Sequence, residues 1–258
     1  MKTGGIVLAA AMLLSVPVDE AAAQDAVRVL VSNGLKAAME ELQPLCERAM
    51  GRQLAMEFNS TAGLKAKIEA GDRFDATLIT TEAVGDLIEH GKAAAESRTE
   101  LGRSPLVVGI RAGATRADIR TADALKRTLL QAKSITYPRD GASRDYLEKM
   151  FAQLGIAADL KPRIVLAAGS GPATQSVADG QAELVLTLAS ETAPVPGVEV
   201  LGPLPGALAY DIHFAGAASS TTTQGEAVKK LLSFLKGPQA TAVFRAKGVE
   251  ASSPVNSR

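Results

Sequence analysis

Residues 27–42 read VRVLVSNGLKAAMEEL, which predicts a strand, a turn and a helix in succession. Val27 to Val31 form a β-branched apolar run that is typical of a buried strand. Ser32-Asn33-Gly34 interrupts this run with residue types that favour turns and helix starts. Beyond the turn, apolar residues recur at helical spacing at Leu35, Ala38, Met39 and Leu42. The first unit of the fold is therefore predicted to be strand, turn and helix.

The same order recurs along the chain. Further strands are predicted at 54–58, 75–79, 105–110, 134–137, 164–167, 184–188, 198–201 and 210–215. Helices are predicted at 62–70, 80–90, 121–132, 143–155 and 173–180, and two more close the chain. Pro44 should kink the first helix or split it in two, since proline removes a backbone donor. Strands that alternate with helices predict parallel sheets covered by helices, so the predicted fold class is α/β.

The N-terminal residues have the composition of an export signal. Lys2 provides a positive start, residues 5–16 are mostly apolar, and Ala21-Ala22-Ala23 offers small residues for cleavage. The alternative, a membrane anchor, would need an apolar run of about 20 residues. We predict that residues 1–23 are a cleaved signal peptide and that the mature protein is periplasmic.

Composition restricts the classes of partner. The chain has 28 basic and 28 acidic residues and is 47% hydrophobic. Such a balance provides no strong field that would recruit nucleic acid or a membrane surface. Cys46 is the one cysteine, so no internal disulfide can form, and a lone thiol in a helical segment is typical of core packing.

Four turns rich in hydroxyl residues and glycine separate predicted strands from predicted helices. They are Ser32-Asn33-Gly34, 60–63 (STAG), 141–143 (GAS) and 169–171 (GSG). Unpaired amides and the positive end of the helix dipole make such turns ready anion sites. An ordinary N-cap uses the same residue types, so any single turn is explained by capping. Four such turns together indicate an anion-binding cleft.

Enzyme motifs are scarce in the sequence. His90 and His213 lack the spacing of metal ligands, and the sequence has neither a nucleophile elbow nor a P-loop. No pair of nucleophile and base can be identified. We therefore expect that the protein is not an enzyme, with no catalytic residue, no metal and no cofactor.

Three segments carry a family resemblance: Phe74–Thr80 (FDATLIT), Leu101–Val108 (LGRSPLVV) and Lys236–Ala240 (KGPQA). In these the chain resembles the periplasmic molybdate-binding proteins of ABC transporters. The resemblance implies a type II binding-protein fold with two lobes and a ligand cleft between them. We predict that lobe 1 comprises residues 24–108 and 206–258, and that lobe 2 comprises residues 109–205.

The resemblance also implies how a ligand is held. In that family serine hydroxyls and backbone amides bind the oxyanion, and a tyrosine adds a donor. Leu188 stands at the tyrosine position, so we expect an anion other than molybdate. Arg144 beside Ser143 would suit a carboxylate, although an exposed arginine is the alternative. The candidate ligand-binding residues are Ser32, Asn33, Ser60, Thr61, Ser143, Arg144 and Ser170.

From these observations we expect a receptor that binds a small anion, either a molybdate-like oxyanion or a small carboxylate, for an ABC importer. Its partners would be the anion and the transporter permease in the membrane, with no nucleic acid, and the protein would be a monomer. A binding module that senses or sequesters its ligand without transport is the alternative.

Overall fold

The computed structural model describes residues 26–251. The predicted signal peptide, residues 1–23, lies outside the described residues. Within the described range, no helix combines the length and the apolar character that a membrane crossing requires.

Strands and helices alternate through most of the chain. The strands are β1 (Val27–Ser32), β2 (Leu54–Asn59), β3 (Ala76–Thr80), β4 (Thr99–Arg111), β5 (Ile135–Pro138), β6 (Ile164–Ala167), β7 (Leu184–Leu188), β8 (Val198–Pro203) and β9 (Asp211–Ala218). The helices are α1 (Lys36–Met50), α2 (Thr61–Glu69), α3 (Thr81–Glu89), α4 (Ala122–Gln131), α5 (Arg144–Gln153), α6 (Ala157–Leu160), α7 (Ser170–Ala178), α8 (Ala189–Thr192), α9 (Gly225–Leu235) and α10 (Pro238–Ala246). Every predicted strand and helix is present, and only the four-residue helices α6 and α8 were not predicted.

The strands form one sheet in the order β2-β1-β3-β9-β4-β7-β5-β6, with β8 also paired to β4. β1 is parallel to β2 and β3, and β5 is parallel to β6 and β7. The long strand β4 links these groups, because Thr99–Pro105 pairs with β9 and Leu106–Ile110 pairs with β7. We call β1, β2, β3, β9 and the first half of β4 the first lobe, and the other strands the second lobe. The predicted α/β class is confirmed, while the residue boundaries of the lobes remain predictions.

Both faces of β1 are buried. Val29 and Val31 of β1 join one apolar cluster, whereas Leu30 between them joins a second cluster on the opposite face. This explains why β1 is apolar from Val29 to Val31, since a strand covered by helices on both sides has no polar face there. Cys46 is fully buried in the first of these clusters, and burial raises the pKa of its thiol to about 12.

Helix α1 continues through Pro44, so the predicted split of this helix is wrong. The ring of Pro44 is exposed, while Met39, Leu42 and Cys46 bury the opposite face. Tertiary packing of this apolar face holds the helix together despite the missing backbone donor.

Candidate functional site

A cavity of about 80 Å³ lies between the two lobes at the carboxyl ends of their parallel strands. Ligands of open α/β sheets collect at this edge, where strand ends meet helix starts. Its lining residues are Ser32, Asn33, Asn59, Ser60, Thr61, Pro138, Asp140, Gly141, Ala142, Ser143, Ala168, Gly169, Ser170, Leu188, Glu191 and Phe214. The structure thus brings together six of the seven candidate residues, namely Ser32, Asn33, Ser60, Thr61, Ser143 and Ser170.

Hydroxyl groups form the first-lobe wall. Ser60 precedes helix α2, and its Oγ accepts a hydrogen bond from the Gly63 N–H at 3.1 Å. Thr61 Oγ1 donates to the Oγ of the buried Ser32 at 3.3 Å. A hydroxyl can accept and donate at the same time, so Ser32 and Ser60 each retain a proton for a ligand.

The second-lobe wall is built around two buried serines. Ser143 stands at the N-cap of α5, yet its side chain makes no capping bond to that helix. Ser170 is the first residue of α7, and its hydroxyl lies near the carboxyl group of Glu191, where it favours the charged form. Helix α7 begins three residues earlier than predicted, so the glycine-serine turn at 169–171 forms the N-terminus of the helix.

The positive electrostatic potential inside the cavity comes from the backbone. Helices α2, α5 and α7 all begin at its wall, and the first N–H groups of a helix have no partner within the helix. Each helix start carries the equivalent of about half a positive charge. No Lys, Arg or His is among the lining residues that the structure describes. The cavity is therefore suited to a small anion held by neutral donors.

Glu191 lines the cavity from α8, three residues beyond the end of β7. Thr187 Oγ1 donates a hydrogen bond to its carboxyl group. Desolvation raises the pKa of Glu191 above its ordinary value, and the bonds from Thr187, Ser170 and the Leu188 N–H oppose this rise. A carboxyl group that can hold a proton therefore lies inside an anion cavity.

Glu191 was not predicted from the sequence, because it belongs to no evident pair of catalytic residues and to no known motif. The signal that was available is its position just after a predicted strand, since carboxyl ends of parallel strands share one edge of the sheet. Within residues 26–251, no cluster of His, Cys, Asp and Glu could hold a metal ion.

The apolar part of the lining comes from Leu188 and Phe214, both buried. Gly34 makes room for them: a Cβ there would lie 2.5 Å from Phe214 Cζ and 3.3 Å from Leu188 Cδ1. The donor that the family resemblance implied at position 188 is thus replaced by an apolar surface.

Arg144 does not line this cavity. It lines a more open depression of about 660 Å³, the vestibule, which shares Thr61, Asp140, Gly141 and Ala142 with the cavity. Its Nε donates to Glu148 one helical turn away at 2.8 Å, and its Nη1 donates to the Arg139 carbonyl at 2.8 Å. Two nitrogens of the guanidinium thus have partners within the same lobe. Contact between Arg144 and a ligand stays a prediction that this arrangement does not favour.

Comparison with known proteins places this architecture in a family. Residues 27–250 match the model of a family described as bacterial extracellular solute-binding protein. The chain belongs to this family. A molybdate-binding protein, ModA, of Azotobacter vinelandii is 28% identical over 226 residues, covering 86% of this chain and 88% of the relative. The solved periplasmic molybdate-binding protein of the same organism superposes with a TM-score of 0.75 at 19% identity, covering 88% of this chain and 100% of the other. The predicted resemblance and the two-lobed fold are confirmed.

The expectation that this solute-binding protein is not an enzyme is contradicted. A relative from a Pseudomonas species, named aconitate isomerase, is 29% identical over 253 residues, which is 95% of this chain and 95% of the relative. The expectation rested on the lack of a nucleophile–base pair and of a metal motif. Isomerisation by proton transfer requires neither, because one acid–base group is sufficient.

Proposed function

We propose that this solute-binding protein binds an aconitate-like polycarboxylate between its lobes and interconverts the cis and trans isomers. The named isomerase matches nearly the whole chain, which supports the reaction class. The structure supplies an anion cavity at the family's usual place for a ligand, and the reaction needs no cofactor.

The observation that carries this proposal is the apolar surface of Leu188 and Phe214 in a cavity that is also lined by hydroxyl groups and helix starts. A tetrahedral oxyanion is polar on every side, so each apolar wall costs it a hydrogen bond of about 1.5–3 kcal/mol. A polycarboxylate has separate anionic groups joined by a carbon skeleton. Its carboxylates suit the three helix starts, and its skeleton suits the apolar surface.

Incubation of the purified protein with trans-aconitate tests the proposal. Proton NMR resolves the vinyl signals of the two isomers, and we expect the cis signal to grow until the equilibrium ratio is reached. Catalysis at the cavity also requires that Ser32→Ala lower kcat/KM. An isomer ratio that never departs from the protein-free control would refute the proposal.

A second candidate function is a periplasmic receptor that delivers a molybdate-like oxyanion to the permease of an ABC importer after cleavage of its signal peptide. The match to the molybdate-binding relative and the neutral donors of the cavity support it. Calorimetry with molybdate, sulfate and aconitate separates the candidates, since a receptor for oxyanions would bind molybdate far more tightly than the tricarboxylate.

A further inference from the structure

We propose that Glu191 is the acid–base group that moves the proton in this isomerisation, an inference that rests on the proposed function. The two ionisable side chains that line the cavity are Glu191 and Asp140. Asp140 is exposed in the turn before α5, at the side shared with the vestibule. Glu191 instead lies among the buried residues Ser170 and Leu188.

Hydrogen bonds fix the orientation of the Glu191 carboxyl. Thr187 Oγ1 donates a hydrogen bond to it, and the Ser170 hydroxyl and the Leu188 N–H lie near enough to favour its charged form. Thr187 and Ser170 are themselves buried, so these donors are held in place by packing. A proton-transfer group must be held this firmly, because displacement from the reacting atom lowers the rate steeply.

The surroundings also suit a group that both takes and returns a proton. Desolvation already raises the pKa of Glu191, and the negative charge of a bound polycarboxylate would raise it further. A carboxyl whose pKa is moved toward neutrality exchanges protons more effectively than an ordinary one.

The chemistry balances with one carboxyl group. In aconitate a methylene carbon and a vinyl carbon flank the central carbon, and each bears a carboxylate. Glu191 removes a proton from the methylene carbon, and the electron pair of that C–H bond forms the new double bond to the central carbon. The old π pair forms a C–H bond at the former vinyl carbon with the proton that Glu191 returns. The product has the same constitution, and its new double bond can have the other configuration.

Charge that develops during this shift spreads onto the substrate carboxylates. Helices α5 and α7 begin at the cavity wall in the same lobe as Glu191, where the positive ends of their dipoles can stabilise that charge. Base and electrophilic donors are thus supplied by one lobe, while Ser32 and Ser60 bind from the other.

The test compares the wild type with Glu191→Gln on trans-aconitate deuterated at its methylene carbon. In the wild type, deuterium should leave that carbon, either to solvent or to the former vinyl carbon, at the rate at which the isomer forms. Glu191→Gln should lose at least about 100-fold in both rates, the usual contribution of general acid–base catalysis. Calorimetry should still show trans-aconitate binding to the variant, because the serines and helix starts are intact. Glu191→Asp, which keeps the acid, should retain measurable activity.

Glu183→Gln is the matched control. Glu183 lies just before the first residue of β7, where its carboxylate is exposed and accepts a hydrogen bond from the backbone N–H of Lys133. It should isomerise at the wild-type rate. Isomerisation by Glu191→Gln at a rate close to wild type overturns this inference alone, as does isomerisation with the deuterium retained at its carbon. A wild-type protein that neither isomerises nor exchanges overturns the proposed function and this inference together. If Glu191→Gln binds no ligand, Glu191→Asp decides: measurable isomerisation supports the inference, and an inactive variant that still binds trans-aconitate overturns it.

Discussion

Ser32 and Ser60 have the same side chain and lie on the same wall of the cavity, but their structural roles differ. Ser60 Oγ caps α2 through the Gly63 N–H, whereas Ser32 makes no capping bond to the short turn that follows it. Both hydroxyls can donate to an anion. Substitution of the two serines therefore separates ligand binding from helix capping.

Ser32→Ala and Ser60→Ala should each weaken ligand binding about tenfold or more, since a hydrogen bond to a charged group contributes about 1.5–3 kcal/mol. Ser60→Ala should also lower the unfolding free energy of the ligand-free protein by about 1 kcal/mol, the usual value of a lost N-cap. Calorimetry measures the first effect and urea unfolding the second. Equal stability losses in the two variants would contradict the capping assignment, and unchanged affinity in both would remove the hydroxyls from the site.

The raised pKa of Glu191 predicts a pH-dependent cost to stability. The folded protein binds the Glu191 proton more tightly than the unfolded chain does. The stability that this proton contributes is therefore fully present below the unfolded pKa and is lost as pH rises through the folded pKa. Glu191→Gln lacks this titration. The melting temperature of Glu191→Gln should rise relative to that of the wild type as pH increases above about 4.5. A constant difference between the two proteins across that range would contradict the desolvated carboxyl.

At the scale of the element, Pro44 within helix α1 lowers the unfolding free energy. Proline removes the hydrogen bond to the Glu40 carbonyl within the helix, so Pro44→Ala should raise the unfolding free energy by about 2 kcal/mol. Pro238→Ala is the control, because Pro238 occupies the first turn of α10, where its missing N–H would have no helical partner. Urea unfolding should show a gain for Pro44→Ala alone. Equal gains in both would show that the effect does not arise from the helix interior.

The elements and the hydroxyl-rich turns that line the cavity were predictable because local rules govern them. β1 was identified by its apolar run, and the turns at Ser32, Ser60, Ser143 and Ser170 by the preference of helix starts for hydroxyl residues. Glu191 was not predicted, since the four-residue helix α8 gives no periodicity and the partial burial of Glu191 depends on strands far apart in sequence. The Arg144–Glu148 spacing, in contrast, already indicates an ion pair along one helix face.

At the scale of the whole molecule, β4 and the connection from β8 to β9 join the lobes. We expect the lobes to close on a ligand by rotation about these crossings, a hinge motion that compacts the protein. Small-angle scattering should show a smaller radius of gyration with saturating trans-aconitate than without it. An unchanged radius at saturation would contradict hinge closure.

We expect one small anion to be held between the lobes by donors from both, beside Glu191. A crystal structure of the protein grown with trans-aconitate tests this most directly. It should place the ligand within hydrogen-bond distance of Ser32, Ser60 and the amides that start α5 and α7, with the Glu191 carboxyl next to the methylene carbon. Ligand density outside the cavity, or a bound ligand whose methylene carbon is remote from Glu191, would contradict it.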